Sequence, residues 1–407
     1  MPLTRRDLVP SALGASEQAE DRRRIGRRTL LAVVPAALAA AAAAWAGGPK
    51  VSVIRILLLH NRVFIAVSIN GGAPLRFALD TGDSVRASID PRLAETLGLK
   101  FSGASTVSGI VGTDVHGYYT VHDLSIGGGV LRQEGVQLEA THIGDIDGFL
   151  PAHLLQTQDA DLDFTRGELR LYWSGEADHA GYTPILYERG PGNHQVIAPC
   201  RLDDQPLRLQ VDTGAPSAIT LMSNYVRDHN LWSAFPHYLD TTSSGVAGST
   251  RARVVRMQSF QIGATRFQEP IVRLLDPEHA RSETPNADGL VGLDLLRRFD
   301  LSFQAFPRPT LWMRKNAALA EPFRMDRSGL VLGQTRDGVC EIRLVAPDSA
   351  GRAAGLQPGD RLPTINTVGL RRGLEWLLTD GPGTEVDLEI ERHGARQPVR
   401  LVLADRV

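Results

Sequence analysis

The chain has 407 residues, 43% of them hydrophobic and 22% charged, which supplies several cored domains and excludes a largely disordered polymer. Its 44 basic and 46 acidic residues leave a formal charge of −2, so nothing in the charge balance calls for a nucleic-acid partner. With only Cys200 and Cys340 there is no disulfide framework. The pair falls in different predicted domains, and one disulfide or two separate buried thiols both stay open.

The N-terminus reads as a sorting signal. Arg22-Arg23-Arg24-Ile25-Gly26-Arg27-Arg28 precedes an alanine-rich run, 30–46, that ends Ala44-Trp45-Ala46. A basic stretch, an apolar core and a small-x-small end describe a secretory signal, and Arg27-Arg28 before Thr-Leu-Leu has a twin-arginine look. The apolar run is 17 residues long, at the short edge of what crosses a bilayer. Residues 1–46 are therefore expected to be a cleaved signal, with a membrane anchor as the alternative. Either places the bulk of the chain in the periplasm, at the outer face of a bacterial membrane or outside the cell. Losing this segment removes more arginines than acids and leaves a more acidic chain.

Beyond it the sequence duplicates itself. Pro74-Leu75-Arg76-Phe77-Ala78-Leu79-Asp80-Thr81-Gly82 is answered by Pro206-Leu207-Arg208-Leu209-Gln210-Val211-Asp212-Thr213-Gly214. Ser108-Gly109-Ile110-Val111-Gly112-Thr113 pairs with Ser244-Gly245-Val246-Ala247-Gly248-Ser249, and Leu124-Ser125-Ile126-Gly127 with Phe260-Gln261-Ile262-Gly263. Asp147-Gly148-Phe149-Leu150-Pro151 pairs with Asp288-Gly289-Leu290-Val291-Gly292, and each copy closes on strand-like segments, 162–173 and 301–313. Landmarks recurring in the same order are an internal repeat of one supersecondary plan. The short Val/Ile/Leu/Thr runs broken by Gly, Pro, Asn and Asp predict an all-β structure for both copies. One Asp-Thr-Gly alone is an ordinary turn signal; two in matched settings deliver paired carboxylates.

Over residues 50–318 this organisation resembles the retropepsin/pepsin clan of aspartic proteases, in its bacterial single-chain form. The resemblance implies a bilobal all-β fold with lobes at 50–177 and 178–318 and a catalytic dyad of Asp80 and Asp212. Thr81, Gly82, Thr213 and Gly214 would support the dyad loops. Flap hairpins would lie around Ser108–Thr113 and Ser244–Ser249, with Ser108, Gly109, Ser244 and Gly245 facing the cleft. Phe149-Leu150 and Leu290-Val291-Gly292 would pack behind the loops. Two carboxylates sharing one proton split their titrations, one accepting a proton from water and the other donating to the scissile carbonyl. Such an enzyme needs no metal or organic cofactor, takes a peptide or protein substrate, and requires no dimer to complete its site. Two departures are Asp83, where Ala215 stands in the second copy, and Pro151, opposite Gly292. They keep alive the alternative of a catalytically inactive envelope protein that binds peptides on a protease-like fold.

Other chemistries find little support. The 11 histidines show no metal-ligand spacing, and His142 and His153 read as packed or solvent-facing. Ser84 and Ser217 lack a nucleophile elbow. Tyr118 and Tyr119 read first as strand-formers packing on a neighbour.

The last segment, 320–405, follows a new pattern. Ser349-Ala350-Gly351-Arg352-Ala353-Ala354-Gly355-Leu356-Gln357-Pro358-Gly359-Asp360 resembles a PDZ domain, a β-rich α+β fold, as found in bacterial envelope proteases. In that reading Asp348-Ser349 caps a short helix, Gly355 ends it and Pro358-Gly359-Asp360 turns into a strand. Gly329, Leu330, Val331 and Leu332 would form the carboxylate-binding loop and peptide groove, with an apolar helix at 373–378 as its other wall. The implied role is recruitment or regulation of substrate, against a domain that only packs.

Overall fold

The computed structural model describes residues 50–406, apart from 83–85, 110, 142–145, 156–157, 175–176, 191–194, 246–247, 279–286, 305–306, 336 and 366–367. The expected signal or anchor at 1–46 lies outside the described residues, as do Asp83, Ser84, Ile110, His142, Val246 and Ala247.

Alternating apolar runs make both copies β-structured. In each, the strand carrying the Asp-Thr-Gly aspartate pairs parallel with the Gly-apolar-apolar strand near the end of the copy. In the first lobe Phe77 lies opposite Gly148 and Asp80 opposite Pro151; in the second Leu209 lies opposite Gly289 and Asp212 opposite Gly292. A short strand just past each aspartate, Ser88–Ile89 and Ile219–Leu221, runs antiparallel to the same partner. It also runs parallel to a further strand, Leu131–Ala140 or Ile271–Leu275. Each aspartate thus leaves its sheet at a crossing that is pinned on both sides. The first lobe is an eight-stranded sheet and the second a ten-stranded one.

The closing segments of the copies do a different job. Strands Val51–Arg55, Glu168–Tyr172, Asp159–Asp163, Phe299–Gln304, Thr310–Lys315 and Thr183–Leu186 form one six-stranded sheet with members from both lobes. At its centre Ala160 pairs with Phe303 and Leu162 with Leu301. Buried Asp300 accepts from Thr165 N at 3.0 Å and from Arg314 Nη2 at 3.0 Å, tying the copies through charge as well as backbone. One contiguous apolar core runs beneath these sheets, including Phe77, Leu79, Val211, Phe260 and Phe303.

The C-terminal unit is a five-stranded sheet, Leu330–Gln334, Cys340–Val345, Arg361–Leu362, Glu385–Arg392 and Ala395–Val402, with its own core around Ile342, Leu356, Ile390 and Leu401. Helix Ala350–Ala353 is capped by Ser349 Oγ, which accepts from Arg352 N at 3.2 Å, and Gly355 takes φ +75° beyond its end. A longer helix, Val368–Leu377, lies beside the edge strand Leu330–Gln334. Cys200 and Cys340 are separate buried thiols, which settles the cysteine alternatives.

Arg298 secures the passage from the second lobe to this unit. It is among the largest fully buried side chains. Its guanidinium donates to Asp294 O at 2.7 Å, Pro322 O at 3.1 Å and Glu321 O, and lies 4.4 Å from the Phe323 ring centre. Burial lowers its pKa and the Asp294 carboxylate beside it opposes that shift. Replacing Arg298 with Met strands these carbonyls without a donor. Urea unfolding of that variant should show a loss of about 3 kcal/mol.

Candidate active site

Asp80 ends a strand whose Phe77, Ala78 and Leu79 are buried, and Asp212 ends one whose Leu209, Gln210 and Val211 are buried. The apolar runs anchor in the core and the carboxyls emerge together on the floor between the lobes. Their two loops interlock. Thr213 N donates to Thr81 Oγ1 at 2.9 Å and Thr81 N to Thr213 Oγ1 at 3.1 Å. Each hydroxyl in turn donates to the other lobe, Thr81 to Val211 O at 2.8 Å and Thr213 to Leu79 O at 2.7 Å. Four reciprocal bonds between buried groups join the two loops across the lobe boundary. Val at either position would lose the hydroxyl's two roles at once.

The glycines matter for closeness. A Cβ on Gly82 would stand 2.5 Å from Asp212 Cγ, and a Cβ on Gly214 would overlap the Asp80 carboxyl. Each glycine is therefore the seat of the opposite lobe's carboxylate, and only a bare Cα fits. Gly82 N donates to Asp80 Oδ1 at 2.9 Å, while Asp212 Oδ1 accepts from Gly214 N at 2.8 Å and Ala215 N at 3.0 Å.

The two carboxyls face one another across the interlocked loops, each lodged against the other lobe's glycine. Burial first, then the charge of Asp80, raises the Asp212 pKa well above the usual carboxylate range, and the amides of Ala215 and Gly214 only partly offset this. The pair therefore keeps a proton at a pH where an isolated aspartate has lost it, and that proton belongs to the pair. This is the state in which one oxygen accepts a proton from water while another donates.

Cross-lobe contacts that the sequence did not single out brace the loops. Gln210 Nε2 donates to Gly82 O at 2.8 Å from a strand position that is otherwise apolar. Arg62 Nη1 donates to Gly214 O at 3.1 Å, and Asn61 Nδ2 to Pro216 O at 2.6 Å. A buried polar residue inside the run Leu209-Gln210-Val211 was the available signal for Gln210; the first copy has Ala78 there. The repeated Asp-Gly landmarks also have a job. Asp147 Oδ2 accepts from Arg76 N at 2.6 Å and Asp288 Oδ2 from Arg208 N at 2.7 Å, fixing both aspartate strands to their parallel partners.

The hairpins form as expected, Gly109 opposite Gly112 and Gly245 opposite Gly248. Ser108 and Ser244 are exposed, with hydroxyls bonded within their own hairpins, Ser108 to Thr113 at 3.1 Å and Ser244 to Ser249 at 2.8 Å. Tyr118 is buried with its hydroxyl on Ser105 and Arg86 over its ring, and Tyr119 packs edge-on against Phe101, as strand-formers do. Pro151 is buried in its strand. It has no N–H to match the bond from Gly292 N to Ala218 O, 2.8 Å, in the second lobe.

In the C-terminal unit the expected carboxylate-binding amides are already engaged. Gly329 N donates to Asp326 Oδ2 at 2.7 Å, Ser328 N to Asp326 Oδ1 at 3.1 Å and Leu330 N to Ser328 Oγ at 3.0 Å. Leu330 and Leu332 are buried, Val331 is half-buried, and Arg371 Nη1 donates to Leu332 O at 3.3 Å. Burial pushes the Asp326 carboxyl up to about 6 in spite of its donors.

The chain matches the aspartyl protease family over residues 65–150 and 198–295. One matched stretch lies in each lobe, and each contains its Asp-Thr-Gly. No curated protein matches. Among solved structures the chain is similar to the aspartic proteinase of Irpex lacteus, at 13% identity and TM-score 0.42, over 67% of this chain and 99% of that one. The family match supports an aspartic-type peptidase.

Two outcomes follow from this geometry. Thr213→Val leaves Leu79 O and Thr81 N without their partners, so denaturant unfolding should register a loss of about 2 kcal/mol. The raised pKa of Asp212 has a definite sign. Native protein holds its proton more tightly than unfolded chain does, so stability is fullest below the ordinary aspartate range and falls as pH rises through the native value. Asp212→Asn should therefore flatten that decline. Against wild type it should be more stable at neutral pH, with the gap closing under strong acid, in melts across pH.

Proposed function

We propose that the protein is an endopeptidase that hydrolyses peptide bonds with water activated by Asp80 and Asp212. The observation that carries this is the pair of carboxyls, one raised in pKa, seated on each other's glycines. In the reaction the ionised member takes a proton from water as the water oxygen attacks the scissile carbonyl carbon. The protonated member gives its proton to the carbonyl oxygen, forming a gem-diol. Proton transfer to the amide nitrogen then lets the C–N bond break, which releases acid and amine and restores one proton to the pair. Gly82 and Gly214 hold the carboxyls in reach, and the threonines keep that spacing from relaxing. Both halves come from one chain, so no dimer is needed to complete the site.

The C-terminal unit is proposed to be a PDZ-like module that recruits or regulates substrate. Its edge strand Leu330–Gln334 offers the means, since an extended peptide adds readily to a sheet edge. Because Asp326 already engages the loop amides, we read the module as receiving extended internal segments rather than free chain ends. The proposed setting is the periplasm, the outer face of a bacterial membrane or outside the cell, reached by the segment at 1–46.

Proteolysis of a diverse peptide library by the full chain, from acidic to neutral pH, tests the reading. Cuts by wild type should fall at least ~1000-fold in both Asp80→Asn and Asp212→Asn, whose melting should remain cooperative. Activity should decline toward neutral pH as the pair loses its shared proton. Undiminished cleavage by either variant would sink the dyad assignment.

A further inference from the structure

A cavity of about 270 Å³ lies where the first lobe, the second lobe and the C-terminal unit meet. It begins immediately past the Asp212 loop, with Pro216 and Ser217 in its wall, and is bounded by Thr241 of the second-lobe hairpin and by Trp376 of the C-terminal unit. It adjoins the braces already described, because Arg62 and Asn61, which hold Gly214 O and Pro216 O, also line it.

Its charge is one-sided. Arg62, Arg76, Arg273, Arg324 and Arg372 line it against two carboxylates, Asp326 and Glu375. Asp326 is committed to the backbone amides of Ser328 and Gly329. Glu375 pairs with Arg371 and with Arg372 of this same wall, which leaves the other arginines in excess. Arg324 is held by Thr379 and lies 3.9 Å from the Trp376 ring centre. Arg273 differs from these. Its Nε is sealed from solvent and has no hydrogen-bond partner among the described residues, and burial lowers its pKa. A buried guanidinium with no anionic partner costs free energy that a carboxylate reaching its other nitrogens would offset. Phe64, Leu239, Val254 and Ile271 give the rest of the wall an apolar part, beside the neutral polar Asn61, Ser217 and Thr241. Such a lining suits an anion carried on a methylene stem better than a fully hydrated inorganic ion.

We propose that this cavity is an anion subsite that takes the carboxylate of an acidic substrate side chain, with Arg273 as its specificity-determining counter-charge. The proposal rests on the peptidase reading above and adds the substrate class: segments with an acidic residue displaced from the scissile bond, on the side of the Asp212 loop. Trp376 and Arg372 make the C-terminal unit part of the subsite wall, so that unit contributes to selection at the cleft itself.

The test reads binding without turnover. Fluorescein-labelled peptides that differ only by Glu or Gln at each position are titrated by anisotropy against the full chain carrying Asp212→Asn, alone or combined with Arg273→Gln or Arg273→Lys. One Glu position should tighten binding on the order of tenfold. Arg273→Gln should erase that preference and Arg273→Lys should retain part of it. Melting temperatures check the fold, and Arg273→Gln removes no hydrogen bond that the structure shows. Equal affinity for every Glu and Gln pair, or a preference that survives Arg273→Gln, overturns the proposal. So does a free-anion site, revealed if inorganic phosphate raises the melting temperature through Arg273 while no Glu position tightens binding. Glu-selective binding by a chain whose wild type cleaves nothing would count against the peptidase reading alone. Cleavage without Glu selectivity would count against the subsite alone.

Discussion

Two carboxyl groups pressed together where two lobes meet repel unless they share a proton, and burial deepens the cost of charging both. The surrounding structure reads as a set of devices that keep Asp80 and Asp212 in that arrangement. The threonine hydroxyls lock the loops across the lobe boundary. The glycines remove the only atoms that would keep the carboxyls apart. Further out, the six-stranded sheet joins the ends of both copies, so the spacing at the dyad is set by continuous backbone pairing and not by two lobes touching at their surfaces.

The duplication is symmetric where spacing matters and asymmetric elsewhere. Both aspartate strands are fixed by an Asp-Gly landmark reaching an arginine amide. The braces behind the loops are not matched. Gln210 from the second lobe holds Gly82 O, whereas Arg62 from the first holds Gly214 O. Pro151 removes a backbone donor that Gly292 provides. Asp212, the more buried of the two, takes two amide donors from its own loop.

The C-terminal unit has its own core yet is joined to the second lobe. Met325 and Ala346 pack with Leu239, Val254 and Ile271, so the hairpin strand at Leu239–Gly245 touches the unit at its base. Arg298 satisfies the connecting backbone, and Trp376 lies 6.4 Å from His60 of the first lobe by ring centres. The arginine-lined cavity is a product of this three-way meeting.

Short-range order was legible in the sequence. Asp-Thr-Gly after an apolar run is a local instruction, and its repetition located Asp80, Asp212 and the threonines that grip. Alternating runs gave the strands, and Ser349 before a small-residue stretch gave the capped helix, because propensity, turns and caps act over a few residues. The engaged loop at Gly329 was not legible, since nothing in its glycine signals that Asp326 will occupy its amide. Nor were Gln210 and Arg62, whose partners are 128 and 152 residues away. Arg273 sits in Ile-Val-Arg-Leu-Leu, a pattern that fits an ordinary edge with its arginine in water. Only the packing of the first lobe and the C-terminal unit around that strand closed over its guanidinium, because burial is decided by what closes over a residue and not by the residue's neighbours in sequence.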